Sequence, residues 1–298
     1  MNFREELTSL AAQVDDYLSA YFDRLKSEVP EKRLIESMYY SIMAGGKRIR
    51  PVLTLAVAKM MSRDPNEVMP FAAAIEMIHT YSLIHDDLPA MDNDDYRRGR
   101  LTNHKVFGEA MAILAGDALL NEAFTLLLET SVKAGNRIER AVEASCIIAK
   151  AAGRDGMIAG QVIDMESEGK QISGTVLKTM HRKKTGALIR ASIVAPAVFI
   201  GLSRDEIKAL DEYAEHIGIA FQIKDDILDV EGTAEEIGKP VGSDERNKKT
   251  TYVSLYGLDG ARKMLDEVTQ KAVEVLDVFG DKAWFLKEMA YFIARRRN

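Results

Sequence analysis

The chain has 298 residues, of which 47% are hydrophobic and 29% charged, and its formal net charge is −6. That balance fits a globular chain with a sizeable core and argues against non-specific nucleic-acid binding. The start, Met1-Asn2-Phe3-Arg4-Glu5, lacks the charged-then-apolar layout of a signal peptide, and no membrane span is expected, because no run of eighteen apolar residues is present.

In chain order, apolar residues at helical spacing (Phe3, Leu7, Leu10, Val14, Leu18, Leu25) predict a helix over 3–28 that stops near Pro30. A second is predicted over 33–43, broken by Gly45-Gly46. Pro51 sits in the first turn of a third, over 51–62. A fourth, over 66–87, should be disturbed at Leu88-Pro89. Further helices are expected over 107–131, 136–154, 156–168, 175–201, 203–230, 254–279 and 281–296. No stretch alternates with period two for long enough to predict a strand. There is no low-complexity linker, so residues 1–298 read as a single all-α domain. The one cysteine, Cys146, cannot form an internal disulfide and is expected to pack as a small apolar residue in a reducing compartment, here the cytoplasm. The terminal Arg295-Arg296-Arg297 reads as a frayed basic end attracted to its own helix C-terminus.

Chemistry concentrates in residues 79–100. Asp86, Asp87, Asp92, Asp94 and Asp95 fall within ten residues, and Arg97, Arg98 and Arg100 follow. Carboxylates this close repel one another and weaken a helix, a conflict that a divalent cation removes. Oxygen-only ligands suit Mg²⁺, which prefers a few carboxylates plus substrate phosphates. The arginines then read as planar forks for phosphate oxygens. A second acidic run, Gln222-Ile223-Lys224-Asp225-Asp226-Ile227-Leu228-Asp229, puts three carboxylates toward one face at the end of an apolar helix, where they need water or a cation. Between them lie Lys184-Thr185-Gly186, and Gln161 with Asp164 on an apolar segment. The turn Gly45-Gly46-Lys47-Arg48-Ile49-Arg50 places cations before a helix N-terminus, with glycines that free the backbone to approach a ligand. His79 and His85-Asp86 also invite a His-Asp metal phosphohydrolase, but only His104, His181 and His216 remain to complete such a site, none in a His-Asp pair. His79 is assigned as a phosphate donor and His85 to packing.

Together, and in this order, Gly45 to Pro51, His79 to Gly99, Lys184-Thr185-Gly186, and Gln222 to Asp229 with Lys239 resemble the trans-isoprenyl diphosphate synthases, the polyprenyl synthetases, most closely the bacterial farnesyl diphosphate synthases. Four residues, Pro89 and Ala90 among them, separate Asp87 from Asp92, a longer form shared by those enzymes and plant-type geranylgeranyl synthases. The resemblance implies a single bundle of about ten or more mostly antiparallel helices around a deep cavity, working as a homodimer. It implies Mg²⁺, three ions per active site, held by Asp86, Asp87 and Asp92 from one wall and Asp225, Asp226 and Asp229 from the facing wall. Arg97, Lys184, Thr185, Gln222 and Lys239 would hold the allylic diphosphate, and Lys47, Arg50, His79 and Arg98 the isopentenyl diphosphate. Catalysis would rest on Asp86, Asp87, Asp92, Arg97, Lys184, Asp225, Asp226 and Lys239. Tyr81, with Ser82 above it, would limit product length to fifteen carbons, a geranylgeranyl product being the alternative.

Overall fold

The computed structural model describes residues 2–28, 30–232 and 249–296, and these are almost entirely helical. They form two compact units that divide between Ser145 and Cys146.

The first unit contains α1 (Phe3–Glu28), α2 (Lys32–Ile42), α3 (Ile49–Met60), α4 (Met69–Asp86), α5 (Asn103–Phe107) and α6 (Glu109–Lys133). Helix α4 is its axis, packed on α1, α2, α3 and α6. Phe71, Ile75, Met77 and Ile78 on α4 are wholly buried, and each contributes roughly 2 kcal/mol by leaving water. Beyond its first turn, α4 is accessible only at His79, Ser82, Leu83, His85 and Asp86. At about 100° per residue, His79, Ser82, Leu83 and Asp86 share one stripe, so a helix buried all round opens along one line that ends in the aspartate motif. Helix α6 is long and apolar enough to cross a membrane by composition, yet it packs along α4 and accepts the Tyr21 hydroxyl on Glu122 at 2.5 Å.

Helix α7 (Ile138–Ala152) spans the division. The second unit then holds α8 (Met157–Ser167), α9 (Gly174–His181), α10 (Ala187–Ile200), α11 (Arg204–Glu231), α12 (Tyr252–Glu274) and α13 (Trp284–Arg295). Helix α11 is its axis, packed on α10, α12 and α13. It starts at a capping box, with the Ser203 hydroxyl accepting the Glu206 N–H and the Glu206 carboxylate accepting the Ser203 N–H. The buried Tyr213 hydroxyl of α11 donates to the Leu286 carbonyl of α13 at 2.6 Å.

The all-α expectation holds, with corrections to its elements. A two-stranded hairpin, β1 (Tyr96–Arg97) with β2 (Arg100–Leu101), stands where no strand was expected. Its loop residues Arg98 and Gly99 have φ of 53° and 73°, the positive pair that a two-residue hairpin loop needs. Two-residue strands carry no periodicity to detect. The expected helix over 107–131 starts instead at Glu109, after the separate short α5. The one expected over 66–87 starts at Met69, after a 3₁₀ turn at Pro65–Glu67, and ends at Asp86 as the proline predicts. A 3₁₀ stretch, Val275–Ala283, separates α12 from α13. The helix expected over 175–201 is three pieces, because Arg182–Gly186 is a π-helical turn between α9 and α10.

Packing explains that turn. A Cβ on Gly160 of α8 would lie 2.1 Å from the Lys184 nitrogen, and one on Gly218 of α11 would lie 3.3 Å from the Gly186 Cα. Gly160 therefore leaves room that the widened turn needs, and Gly218 keeps the contact on its other side close. Gly160→Ala should destabilise the protein by about 3 kcal/mol, as overpacking against fixed backbone does, and a thermal melt unchanged from the parent would show that the turn yields freely.

Candidate active site

The first unit gathers the basic turn and the first aspartate motif. Asp86 is the last residue of α4 and Asp87 its C-cap, where the helix dipole disfavours carboxylates. The chain then turns tightly through Leu88–Met91, and the Asp92 N–H donates to the Asp86 carbonyl at 2.8 Å. The inserted Pro89 and Ala90 are thus spent on a turn that returns Asp92 to the helix end. Asp87 is buried, with Arg97 Nε and Nη2 each 2.6 Å from its Oδ1. Burial pushes its carboxyl up while Arg97 pulls it down. The hairpin pairs Arg97 with Arg100 and leaves Arg98 and Gly99 as its loop.

Arg98 donates from Nη1 to the Gly45 carbonyl. A Cβ on Gly46 would sit 2.7 Å from the Arg98 Cζ, so this glycine makes room for a guanidinium; the sequence suggested room for a ligand. Lys47 and Arg50 are half-buried beside it. His79 is held well below the ordinary imidazole range by burial and then by Arg50, Arg98, Arg97 and Arg48. It is therefore a neutral ring among guanidinium groups, an environment suited to an anion and hostile to a metal ion. His85 packs against Gly116 of α6, its Nε2 3.1 Å from the Ile113 carbonyl, and Tyr81 is buried edge-on to it at 5.7 Å. Ser82 donates its hydroxyl back to the His79 carbonyl at 2.8 Å.

The second unit has a pocket of about 230 Å³ bordered by Lys184, Thr185, Gln222, Asp225, Asp226 and Lys249, among others. The π-helical turn presents Lys184 and Thr185. Lys184 Nζ is 2.6 Å from Asp164 Oδ2, and Lys249 approaches the same oxygen at 3.8 Å. Burial alone would raise Asp164, but the two lysines hold it below the ordinary carboxylate range. Asp226 is buried and accepts the Tyr252 N–H at 2.6 Å, at the start of α12. Asp229 is buried as well. Asp225 stays accessible and pairs with Arg296 at 2.7 Å. Lys239 lies outside the described residues.

Two expectations change. Arg296 is buried, not frayed: it lies over the Phe221 ring at 3.8 Å and also donates to the Phe221 carbonyl. Burying its planar face on an aromatic outweighs a loose attraction to a helix end. Arg297 is outside the described residues. Cys146 is exposed and does not pack as a core residue, because it falls on the outward side of α7. Lys249 was not singled out from sequence, and Asp164 and Arg48 were noted there, beside Gln161 and in the basic turn, without a role of their own. Arg48 is buried against Asp15, Glu76 and the Ile42 carbonyl. The available signal was Glu76, an acid inside the apolar run Phe71–Ile78.

Among the described residues no three His, Cys, Asp or Glu side chains converge to hold a metal ion by themselves. Asp86 and Asp92 in the first unit, and Asp225 in the second, are accessible and offer only oxygen, the donor chemistry that suits an ion completing its shell with water and substrate phosphate.

His181, buried and stacked on Tyr252 at 5.5 Å, is pushed down to about 4 by burial, with Asp164 opposing and Lys184 assisting. An unfolded imidazole binds its proton near 6.5. Stability is therefore complete above that value and falls as pH drops toward 4, by about 3 kcal/mol in all for this group. The melting temperature should decline between pH 7 and 5, and His181→Gln should flatten the decline; parallel curves would contradict the assignment.

The sequence profile of the polyprenyl synthetase family matches residues 31–281. The chain is 51% identical over 281 residues to the farnesyl diphosphate synthase of Geobacillus stearothermophilus, covering 93% of each. It is 46% identical to the farnesyl diphosphate synthase of Micrococcus luteus, covering 95% of this chain and 97% of that one. The crystal structure of an FPP/GFPP synthase from Zymomonas mobilis superposes with a TM-score of 0.84 at 36% identity, covering 97% of this chain and 99% of that one. The aspartate motifs, the basic turn and the lysine-bearing π turn are thus set in the fold that these relatives share, and the chain belongs to the polyprenyl synthetase family.

Proposed function

We propose that the protein is a Mg²⁺-dependent farnesyl diphosphate synthase of the cytoplasm, joining isopentenyl diphosphate head-to-tail to dimethylallyl and then geranyl diphosphate. The observation that carries this reading is the second unit's pocket, where Lys184, Thr185, Gln222 and Lys249 stand beside Asp225 and Asp226. Relatives named farnesyl diphosphate synthase support the product.

Breaking the carbon–oxygen bond of the allylic substrate leaves diphosphate and an allylic cation. Bound Mg²⁺, three ions on this reading, would supply charge stabilisation of the leaving diphosphate. Asp86, Asp87, Asp92, Asp225, Asp226 and Asp229 would hold it, Asp86, Asp92 and Asp225 through their accessible oxygens. Lys184, Thr185, Gln222, Arg97 and Lys239 hold the allylic diphosphate and meet charge as it develops. Lys47, Arg50, Arg98 and neutral His79 hold the isopentenyl diphosphate, whose double bond attacks the allylic cation, and the resulting carbocation gives up a proton to the departed diphosphate. No side chain is assigned as the base.

The mass of the product made from dimethylallyl and isopentenyl diphosphates tests the reading. A fifteen-carbon product is expected with Mg²⁺ and none after chelation, and Asp86→Ala or Asp225→Ala should lower turnover by about 10²-fold or more. Near-normal turnover in either variant would remove that aspartate from the metal set. Tyr81 is proposed as the floor of the product tunnel, about 7.5 Å from Asp86 along α4, with Ser82 too small to block it. Tyr81→Ala should lengthen the product; if it stays at fifteen carbons, the ring only packs on His85, and a twenty-carbon product from the parent would make the enzyme a geranylgeranyl synthase.

A homodimer is the proposed assembly, supported by exposed Leu114, Leu128 and Val132 on α6, apolar area that a second copy would cover. Sedimentation should give twice the chain mass, and Leu128→Glu should shift it toward the monomer; a monomeric parent would end the proposal.

A further inference from the structure

Of the three cations in the Gly45–Pro51 turn, Lys47 and Arg50 are half-buried, while Arg48 is only 3% exposed. Arg48 also carries a backbone φ of 50°, in the left-handed region, directly before the first residue of α3. A β-carbon there is disfavoured, so the surrounding contacts must hold it. They do so on three elements. Nε donates to Asp15 of α1 at 2.8 Å, Nη1 to Glu76 of α4 at 2.5 Å, and Nη2 to the Ile42 carbonyl at the end of α2 at 2.5 Å. Glu76 is itself 2% exposed and precedes His79 by one helical turn on α4. One guanidinium thus fixes the backbone between Lys47 and Arg50 against the helix that carries His79. It also neutralises the buried acid that would otherwise compete for Arg98 and weaken the positive field around His79.

We infer that Arg48 is the positioning residue of the isopentenyl diphosphate subsite: it never touches that substrate, but it sets Lys47 and Arg50 in register with His79. The inference rests on the function proposed above. It requires the fork and not merely the charge, because a lysine ammonium is a point donor that cannot reach three acceptors in three directions.

The test uses the full-length enzyme and two variants. Arg48→Lys keeps the charge and loses the fork. The double variant Arg48→Met with Glu76→Gln removes both buried charges together, so neither is left without its partner. Apparent KM for isopentenyl and for allylic diphosphate, kcat and the melting temperature are measured for each. The expected result is a rise of about tenfold or more in KM for isopentenyl diphosphate, with the allylic KM and kcat within about twofold of the parent. A merely structural role would raise both KM values together and lower kcat, and that pattern overturns the inference, as does an isopentenyl KM within twofold of the parent. If the double variant does not fold, Arg48→Lys decides by the same split. A parent that does not turn over isopentenyl diphosphate would refute the proposed function; an active parent with unchanged variants would refute the role of Arg48 alone.

Discussion

Buried and half-buried carboxylates need compensation, and the two units are built around supplying it. Glu76 meets Arg48, Asp87 meets Arg97, Asp164 meets Lys184 with Lys249, Asp225 meets Arg296, and Asp226 takes the Tyr252 N–H. Several of these acids sit at the ends of helices that are otherwise apolar, where neither hydration nor the helix dipole stabilises them. Each pairing fixes a cation at a defined place, so the charges that strain the fold also distribute amines and guanidinium groups around it. Asp86 and Asp92 differ in character: both remain accessible, and the chain folds back to bring their backbones together.

Close backbone approach is the second constraint. Gly46 admits the Arg98 guanidinium, Gly116 admits the His85 ring, and Gly160 admits the backbone of the π-helical turn. In each case the missing Cβ is what lets a charged or polar group reach its position. The π turn is the most consequential, because it widens the chain where Lys184 and Thr185 must leave a helix and enter the pocket. Extra residues in helices are costly and persist where they re-aim side chains.

The environments separate residues that look alike in sequence. Arg48 and Arg50 are two positions apart, yet one is sealed among three acceptors and the other is half-buried near His79. Asp86 and Asp87 are adjacent, yet the first is accessible and the second is buried beneath Arg97. For Asp86 and Asp87, at the end of α4, the divergence follows from helical geometry, because neighbours point about 100° apart; Arg48 instead leaves the helical path at a left-handed φ of 50° just before α3.

Much was legible in the sequence because it depends on local physics. Helical periodicity, proline and glycine breaks and the paired acidic runs gave the all-α class, and the order of the motifs pointed to the family. That the fourth helix stops just before Leu88-Pro89 followed from the proline. What the sequence could not determine was partnership. Nothing in Lys47-Arg48-Ile49-Arg50 tells which cation is buried, since Asp15 and Glu76 are distant along the chain and reach Arg48 only when α1 and α4 have packed. The π turn was hidden for the same reason, because the room it occupies is left by glycines on two other helices. The docking of Arg296 on Phe221 and the exposure of Cys146 were likewise decided by which faces the helices bury. Local propensity fixes where a helix runs; only tertiary packing chooses its face and its charge partners, because those depend on contacts between residues far apart in sequence.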